Sequence, residues 1–343
     1  MTKHLYAILS DIHGNHNALL EIGRDARQLA RSQNLPVPQF IFLGDAVDYG
    51  PEPNEVMKWL EDNKPLINVI GNHDAEAIAD RCRRPTRVDK QWWPMTLWTR
   101  LALKDVYQDR LASWPTRVQA NNSLSSFLLF HSDTIGKDNA PNAPERAEKV
   151  LQDIAKTCNT CSYGLFGHTH YQVLYVKERD KNNHYRKNNE GIYSVYAVPE
   201  NESERRGNRE GFLQVNKWHE FPSSPALINP GSVGQPRFHL MQTASSGDIR
   251  ASYLLFYSGD DGEYFQWRRV AYDVEGTIKS LRSLEMPETN SHKNGGKDVL
   301  RDNSPAASRQ EHPAYFNKQD VKNLKREFPS VIERLTEILL NGG

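Results

Sequence analysis

Five short apolar runs, each halting at a polar cluster, set the rhythm of the first half of the chain: Tyr6 to Leu9, Phe40 to Leu43, Leu66 to Ile70, Phe127 to Phe130 and Tyr163 to Phe166. Their length and their β-branched and aromatic content predict buried strands. Between the first two, Ala18, Leu19, Ile22, Ala26, Leu29 and Ala30 share one face of a predicted helix that begins near Asn17, read as its N-cap. A second helix is predicted after Pro53, with Val56, Trp59 and Leu60 turned inward. This alternation of strand and helix is an α/β pattern.

Further along, residues 89 to 114 carry Trp92, Trp93, Trp98 and Trp114, with Leu97, Leu101 and Leu103 at helical spacing, and they read as helical core or cap rather than a base-stacking platform. After residue 171 the pattern turns to strands with polar interruptions; the charged stretch from Lys177 to Glu190 reads as surface loop, and the insertion from Lys177 to Asn216 as a candidate lid. From Pro287 to Pro313 there is almost nothing to bury, which predicts a mobile linker over 286–314. Beyond it, Val321, Leu324, Phe328, Val331, Leu335 and Ile338 form a heptad-like stripe. Pro329 divides this into two short helices rather than one. The expected organisation is one catalytic unit over 1–285, the linker, and a helical appendage over 315–343, packed on the catalytic unit or pairing with another chain.

Charge narrows the function classes. Lys and Arg number 43, Asp and Glu 43, so no overall field draws the chain to nucleic acid or an anionic membrane. Nor does any run approach the roughly 18 apolar residues of a membrane span. Three cysteines, Cys82, Cys158 and Cys161, argue against a disulfide framework and for a cytoplasmic setting. Cys158 and Cys161 stand as CxxC, but no second pair completes a zinc site, so the motif reads as a plain turn.

The chemistry lies where the strands stop. The first runs into Asp11-Ile12-His13, the second into Gly44-Asp45, the third into Gly71-Asn72-His73-Asp74, the fourth into His131 and the fifth into Gly167-His168-Thr169-His170. On an extended chain a spacing of two would turn Asp11 and His13, or His168 and His170, to one side. Sites in α/β proteins form beyond the carboxyl ends of strands, where such loops converge. Each motif alone is common; five in succession point to a metal centre.

In this order the residues resemble the calcineurin-like metallophosphoesterases, whose pattern D-x-H, G-D-x-x-D, G-N-H-D/E, H and G-H-x-H is complete here. Gly44 to Pro51 and Asn229 to Arg237 look like the bacterial diadenosine tetraphosphatase-like branch. The resemblance covers roughly residues 4 to 285. It implies a four-layer α/β/β/α sandwich of two packed mixed β-sheets, with the metals at one rim. Asp11, His13, Asp45 and His170 would hold one divalent ion; Asp45, Asn72, His131 and His168 would hold a second, Asp45 bridging. His73 would give a proton to the leaving oxygen, with Asp48 orienting its ring. Mixed imidazole and carboxylate ligands suit manganese, iron or zinc better than magnesium or calcium, with manganese favoured for activity. Two such ions roughly 3.5 to 4 Å apart would generate a bridging hydroxide that attacks phosphorus in line. The pocket would then be cationic in a protein of zero net charge.

Substrate choice is less legible. Ser/Thr phosphoprotein phosphatases of this superfamily carry Arg where this chain has Tyr49, and Glu where it has Asp74. Loss of the Arg removes a bidentate phosphate clamp and shifts the expectation toward a phosphodiester or nucleotide-derived ester. Arg83 and Arg84, beside Arg81 and Arg87, are candidate substrate contacts, as is Arg237; His16 reads as decoration at a helix start. The alternatives are a phosphomonoester or phosphoprotein phosphatase, a nuclease, which the neutral balance disfavours, and a partner-binding scaffold with a vestigial site.

Overall fold

The computed structural model describes residues 3–78, 96, 99–100, 102–132, 140–177, 191–198, 212–236 and 249–283. Six strands form a first sheet in the order β10 (His219–Glu220), β13 (Gly262–Val270), β12 (Ala251–Gly259), β1 (His4–Leu9), β2 (Gln39–Phe42) and β3 (Ile67–Asn68). Seven form a second: β4 (Arg117–Gln119), β5 (Phe127–Phe130), β6 (Tyr163–Leu165), β11 (Ala226–Pro230), β7 (Gln172–Lys177), β8 (Ile192–Val198) and β9 (Phe212–Gln214). Both sheets are mixed. β1 runs parallel to β2 and antiparallel to β12, and β11 runs parallel to β6 and antiparallel to β7.

The apolar runs have no polar face because these strands are covered on both sides. Leu5, Ala7 and Leu9 of β1 pack on helices α1 (His16–Ser32) and α2 (Pro53–Asn63), whereas Tyr6 and Ile8 face Phe127, Leu129 and Trp267 between the sheets. Helices α3 (Asn72–Ile78) and α4 (Asp105–Ala112) follow β3 in the chain, and across the second sheet Leu128 and Phe130 meet Val150, Leu151 and Ile154 of α5 (Pro144–Thr157). Three apolar clusters therefore separate four layers, helix on sheet on sheet on helix. Two sheets against the expected α/β sandwich agree with the sequence reading.

Local detail departs from it. All six apolar positions assigned to the first helix are buried, but its N-cap is Asn15, whose side-chain oxygen accepts from Ala18 N at 3.1 Å. Asn17 instead donates to Thr277 Oγ1 at 3.1 Å, tying α1 to α6 (Val274–Ser283). The third run pairs as a strand only at Ile67–Asn68. The lid reading of Lys177 to Asn216 fails over its described part, because Ile192–Val198 and Phe212–Gln214 extend the second sheet.

The CxxC is not a plain turn. Cys158 closes the C-terminus of α5 with its N–H on Ile154 O, the chain folds back, and Cys158 and Cys161 are disulfide-bonded with Cα atoms 5.3 Å apart. One local clasp is not a framework, yet it weakens the argument for a reducing compartment drawn from cysteine count. Among the described residues no helix is long and apolar enough to cross a membrane. The Trp-rich segment is described only in part: Leu103 is buried, and Trp114 meets Phe42 edge-on at 5.6 Å between ring centres. Trp92, Trp93, Trp98, the linker over 286–314 and the helices over 315–343 lie outside the described residues.

Candidate active site

β1 and β2 of the first sheet and β5 and β6 of the second open on one edge, so the loops after them meet. They do not meet as extended chain. Asp11 and His13 have φ of 53° and 48°, Asp45 has 59°, and His168 and His170 have 66° and 61°. Spacing by two thus brings the right residues together for a different reason: alternate residues enter the left-handed region and curl the loops inward. Such conformations cost roughly 1 to 3 kcal/mol each in non-glycine residues and persist where the surroundings impose them.

Here the surroundings are backbone groups and two carboxylates. Asp11 Oδ1 and Oδ2 each accept from His168 N at 3.1 Å, and Asp45 Oδ1 accepts from His73 N at 2.9 Å. The bonds to Asp11 tie the loop after β1 to the loop after β6 in the other sheet, and the bond to Asp45 ties the loop after β2 to the segment after β3 within the first sheet. Among the described residues three groups have ligand atoms close enough to share a cation: Asp11 with His13 and His170, Asp45 with His131 and His168, and, beside these, Asp48 with His73 and Glu76. Asn72 joins the Asp45 group through Oδ1, 2.8 Å from His168 Nδ1.

Three imidazoles have their tautomers fixed by the main chain. His13 Nδ1 faces Val47 O at 3.3 Å, His131 Nδ1 faces Leu43 O at 2.7 Å and His170 Nδ1 faces Gln235 O at 2.8 Å. A carbonyl only accepts, so each Nδ1 carries hydrogen and each neutral ring turns the lone pair of Nε2 into the pocket. There His13 Nε2 and His170 Nε2 stand 3.2 Å apart, with Asp11 Oδ1 3.1 Å from the latter. His131 Nε2 is 3.0 Å from Asp45 Oδ2, out of line for a hydrogen bond and buried with no other partner. Lone pairs and carboxylates aimed at common points are incompatible with one another and compatible with cations. The donor set of imidazole, carboxylate and amide oxygen fits borderline divalent metals.

A second constellation adjoins the first. Asp48, fully buried, accepts at Oδ2 from His73 Nδ1 at 2.7 Å and from Thr96 Oγ1 at 2.9 Å, and at Oδ1 from Tyr49 N at 2.9 Å. His73 Nε2 is left facing the Tyr49 hydroxyl at 3.1 Å.

Residues 5–172 match the calcineurin-like phosphoesterase family model, a span that contains every strand-end motif from Asp11 to His170. Over those residues the chain carries a calcineurin-like phosphoesterase domain. It is therefore a phosphoric ester hydrolase of a metal-dependent family. It is 26% identical over 292 residues to the uncharacterized protein MJ0912 of Methanocaldococcus jannaschii, spanning 84% of this chain and 96% of that one. Among solved structures it is similar to a metallophosphoesterase from Sphaerobacter thermophilus, with a TM-score of 0.55 and 23% identity over 84% of this chain and 96% of that one. A hypothetical protein from Pyrococcus horikoshii, PH1004, has the same fold with a TM-score of 0.58 and 13% identity, covering 86% and 97% of the two chains.

For a phosphoesterase that recruits cations, the metal-free electrostatics are telling. Burial opposes charge on Asp45, but His131 and His73 beside it outweigh that and hold its carboxyl well below the usual carboxylate range. Conversely, burial disfavours the His131 imidazolium, yet the charge of Asp45 pushes it up to about 9. Burial also opposes charge on His73, and Asp45 together with the Asp48 bond raises it to about 10. His168 moves the other way, to about 3, through burial and the charge of His131. With no cation bound, the two carboxylates draw positive charge toward the imidazoles beside them.

Asp74 does not face the pocket. It lies buried beneath the Asp45 loop, and its carboxylate accepts from the N–H groups of Asp45, Ala46, Val47 and Gly71 at 2.8 to 3.2 Å. Its exchange for Glu in phosphoprotein phosphatases therefore bears on loop shape, and the substrate argument rests on Tyr49 alone. Gly44 and Gly71, in the motifs that carry Asp45 and Asn72, act differently from one another. Gly44 supplies a φ of 100°, whereas at Gly71 a Cβ would stand 2.0 Å from Asp45 Oδ1. Gly71→Ala is expected to displace Asp45, lowering bound metal per chain and activity by at least about tenfold, on the scale of a disturbed ligand support. Metal analysis of the purified variant checks it; wild-type metal content would show the loop yields without cost.

The segment Asn229 to Gln235 leaves the end of β11 through a bend and laces the loops of the site together. Asn229 Nδ2 donates to Gly167 O at 2.7 Å, Ser232 Oγ donates to Asp11 O at 2.7 Å, and Gln235 O holds His170. Thr96 and these carbonyls escaped the sequence reading because hydroxyls and main chain carry no motif. His16 is the half-buried first residue of α1. Arg83, Arg84 and Arg237, with Arg81 and Arg87, lie outside the described residues.

Proposed function

We propose that this phosphoesterase hydrolyses a phosphodiester or a nucleotide-derived phosphate ester, with two divalent cations held by Asp11, His13, Asp45, Asn72, His131, His168 and His170. The observation that carries the reading is the set of Nε2 lone pairs on His13, His131 and His170, fixed by backbone carbonyls and aimed at Asp11 and Asp45. Bound ions of this kind acidify water and neutralise phosphoryl oxygens, and manganese is the favoured activator. The protein's own groups do the rest. Asp45, between the two clusters at 3.0 Å from His131 Nε2 and 3.9 Å from His13 Nε2, bridges them. Asp48 holds Nδ1–H of His73, so that Nε2 carries the proton destined for the leaving oxygen. The division into a catalytic unit over 1–285, a linker over 286–314 and a helical appendage over 315–343 belongs to this reading, as do a small-molecule client rather than nucleic acid and a cytoplasmic setting.

Tyr49 supports the diester preference: its phenol offers one hydrogen-bonding oxygen and no positive charge to a dianionic monoester. The test is a screen of manganese-loaded protein against an aryl phosphodiester, a dinucleoside polyphosphate, an aryl monoester, single-stranded nucleic acid and a phosphopeptide. Turnover of the diester or the polyphosphate above the others is expected. Turnover confined to the phosphopeptide or to nucleic acid would overturn the preference.

A further inference from the structure

Both ring nitrogens of His73 are engaged. Nδ1 is bound to Asp48, which Thr96 Oγ1 and Tyr49 N also hold, so that nitrogen cannot release a proton without stripping a fully buried carboxylate of a partner. The outlet is Nε2, and it is covered by the hydroxyl of Tyr49 at 3.1 Å. Any proton leaving His73 meets that oxygen first.

Tyr49 is held there at some cost. It and Asp48 are consecutive non-glycine residues with φ of 63° and 74°. The ring lies 4.6 Å from that of His73 and 4.8 Å from that of His13, centre to centre, and those two stand 5.1 Å apart, so the phenol packs against both the proton donor and the first cluster of candidate ligands. Tyr49 is half-buried, while Asp48 is fully buried. A phenolic hydroxyl donates and accepts at once. It can therefore accept from a protonated Nε2 or donate to a neutral one without moving.

We propose that Tyr49 is a proton relay and the catalytic residue that touches the leaving group; this rests on the reading of His73 as the proton source. As the P–O bond to the leaving group breaks, its electron pair stays on the leaving oxygen, which takes the hydroxyl proton of Tyr49. Tyr49 takes the Nε2 proton of His73 in the same step. Tyr49 is neutral before and after, His73 ends neutral, and the product alcohol carries the transferred hydrogen. The proton has moved two places with no group left charged between.

The experiment is a leaving-group series of phosphodiesters, from a nitrophenolate to a primary alkoxide, with metal-loaded wild type, Tyr49→Phe and His73→Ala. A good leaving group needs no proton. The expected result is a loss of about a hundredfold in kcat/KM for Tyr49→Phe with the alkoxide, and under about threefold with the nitrophenolate, at unchanged metal content. A uniform loss across the series, or none, overturns the relay and leaves the hydroxyl as a packing group. If His73→Ala depends on the leaving group and Tyr49→Phe does not, the relay fails while the proton-source reading stands. If His73→Ala is itself independent of the leaving group, both fail. A readout apart from turnover is the nitrogen NMR resonance of His73 Nε2 in metal-free protein, which Tyr49→Phe should shift while Nδ1 stays in place; an unmoved Nε2 contradicts the contact.

Discussion

Asp45→Asn is expected to lower kcat/KM by at least about a thousandfold, roughly 4 kcal/mol of transition-state stabilisation, and to leave the protein short of metal. The substitution keeps size and shape, so the loss isolates charge. Asp45 Oδ2 stands 3.0 Å from His131 Nε2 and 3.9 Å from His13 Nε2, one imidazole from each cluster, while Oδ1 accepts from His73 N at 2.9 Å. An amide oxygen can still accept from His73 N. In the proposed two-metal site it could not neutralise the cations as a carboxylate does, which would leave Asp11 alone among the assigned ligands to offset them. The carboxyl's position well below the usual range indicates how strongly this pocket rewards negative charge at residue 45. Metal analysis beside the rate assay decides the matter, with circular dichroism to establish that the sheets are intact. Two metals per chain and near-normal turnover would remove Asp45 from the bridging position.

How much of this could be read from the chain depends on which physical rule each feature obeys. Strands buried on both faces betray themselves as unbroken apolar runs, which is why β1, β2, β5 and β6 were placed within a residue or two. The metal-ligand types at their ends were equally visible, since ligand chemistry restricts residue identity. Geometry was not. The expectation that Asp11 and His13 share a side of extended chain reached the right pair by the wrong path, because φ of 53° and 48° depends on the main-chain bonds from Ile12 N and His13 N to Asp45 O, contacts made only after two loops dock.

The same limit hid the groups that orient the site. Leu43, Val47 and Gln235 fix three imidazoles through carbonyl oxygens that every residue possesses. Thr96 reaches Asp48 across a separation of 48 residues, with nothing local to mark it. Asp74 shows the converse error: a residue legible as a family difference was read as bearing on substrate, although its carboxylate points into the protein at four main-chain donors. The cysteine pair went astray because the cysteine count speaks of frameworks, whereas a turn closing α5 joins Cys158 to Cys161 locally.

His73→Ala separates binding from proton transfer, and the expected outcome is the mirror of Asp45→Asn: metal retained, kcat lowered by about a hundred- to ten-thousandfold toward a poor leaving group. The argument rests on where the ring attaches. His73 contributes its side chain to Asp48 and Tyr49, and only its backbone N–H to Asp45, so truncation to alanine keeps the latter bond. Asp48, losing the imidazole, still has Thr96 Oγ1 and Tyr49 N. The pocket should therefore remain assembled around Asp11 and Asp45. Because the His73 ring is tied to Asp48 and Tyr49 and stands outside the proposed ligand set, removing it should not loosen the metals. The decisive comparison is metal per chain against rate. Metal lost in proportion to activity would make His73 a ligand support, and metal kept with full activity toward alkyl esters would leave the leaving oxygen to be protonated by water.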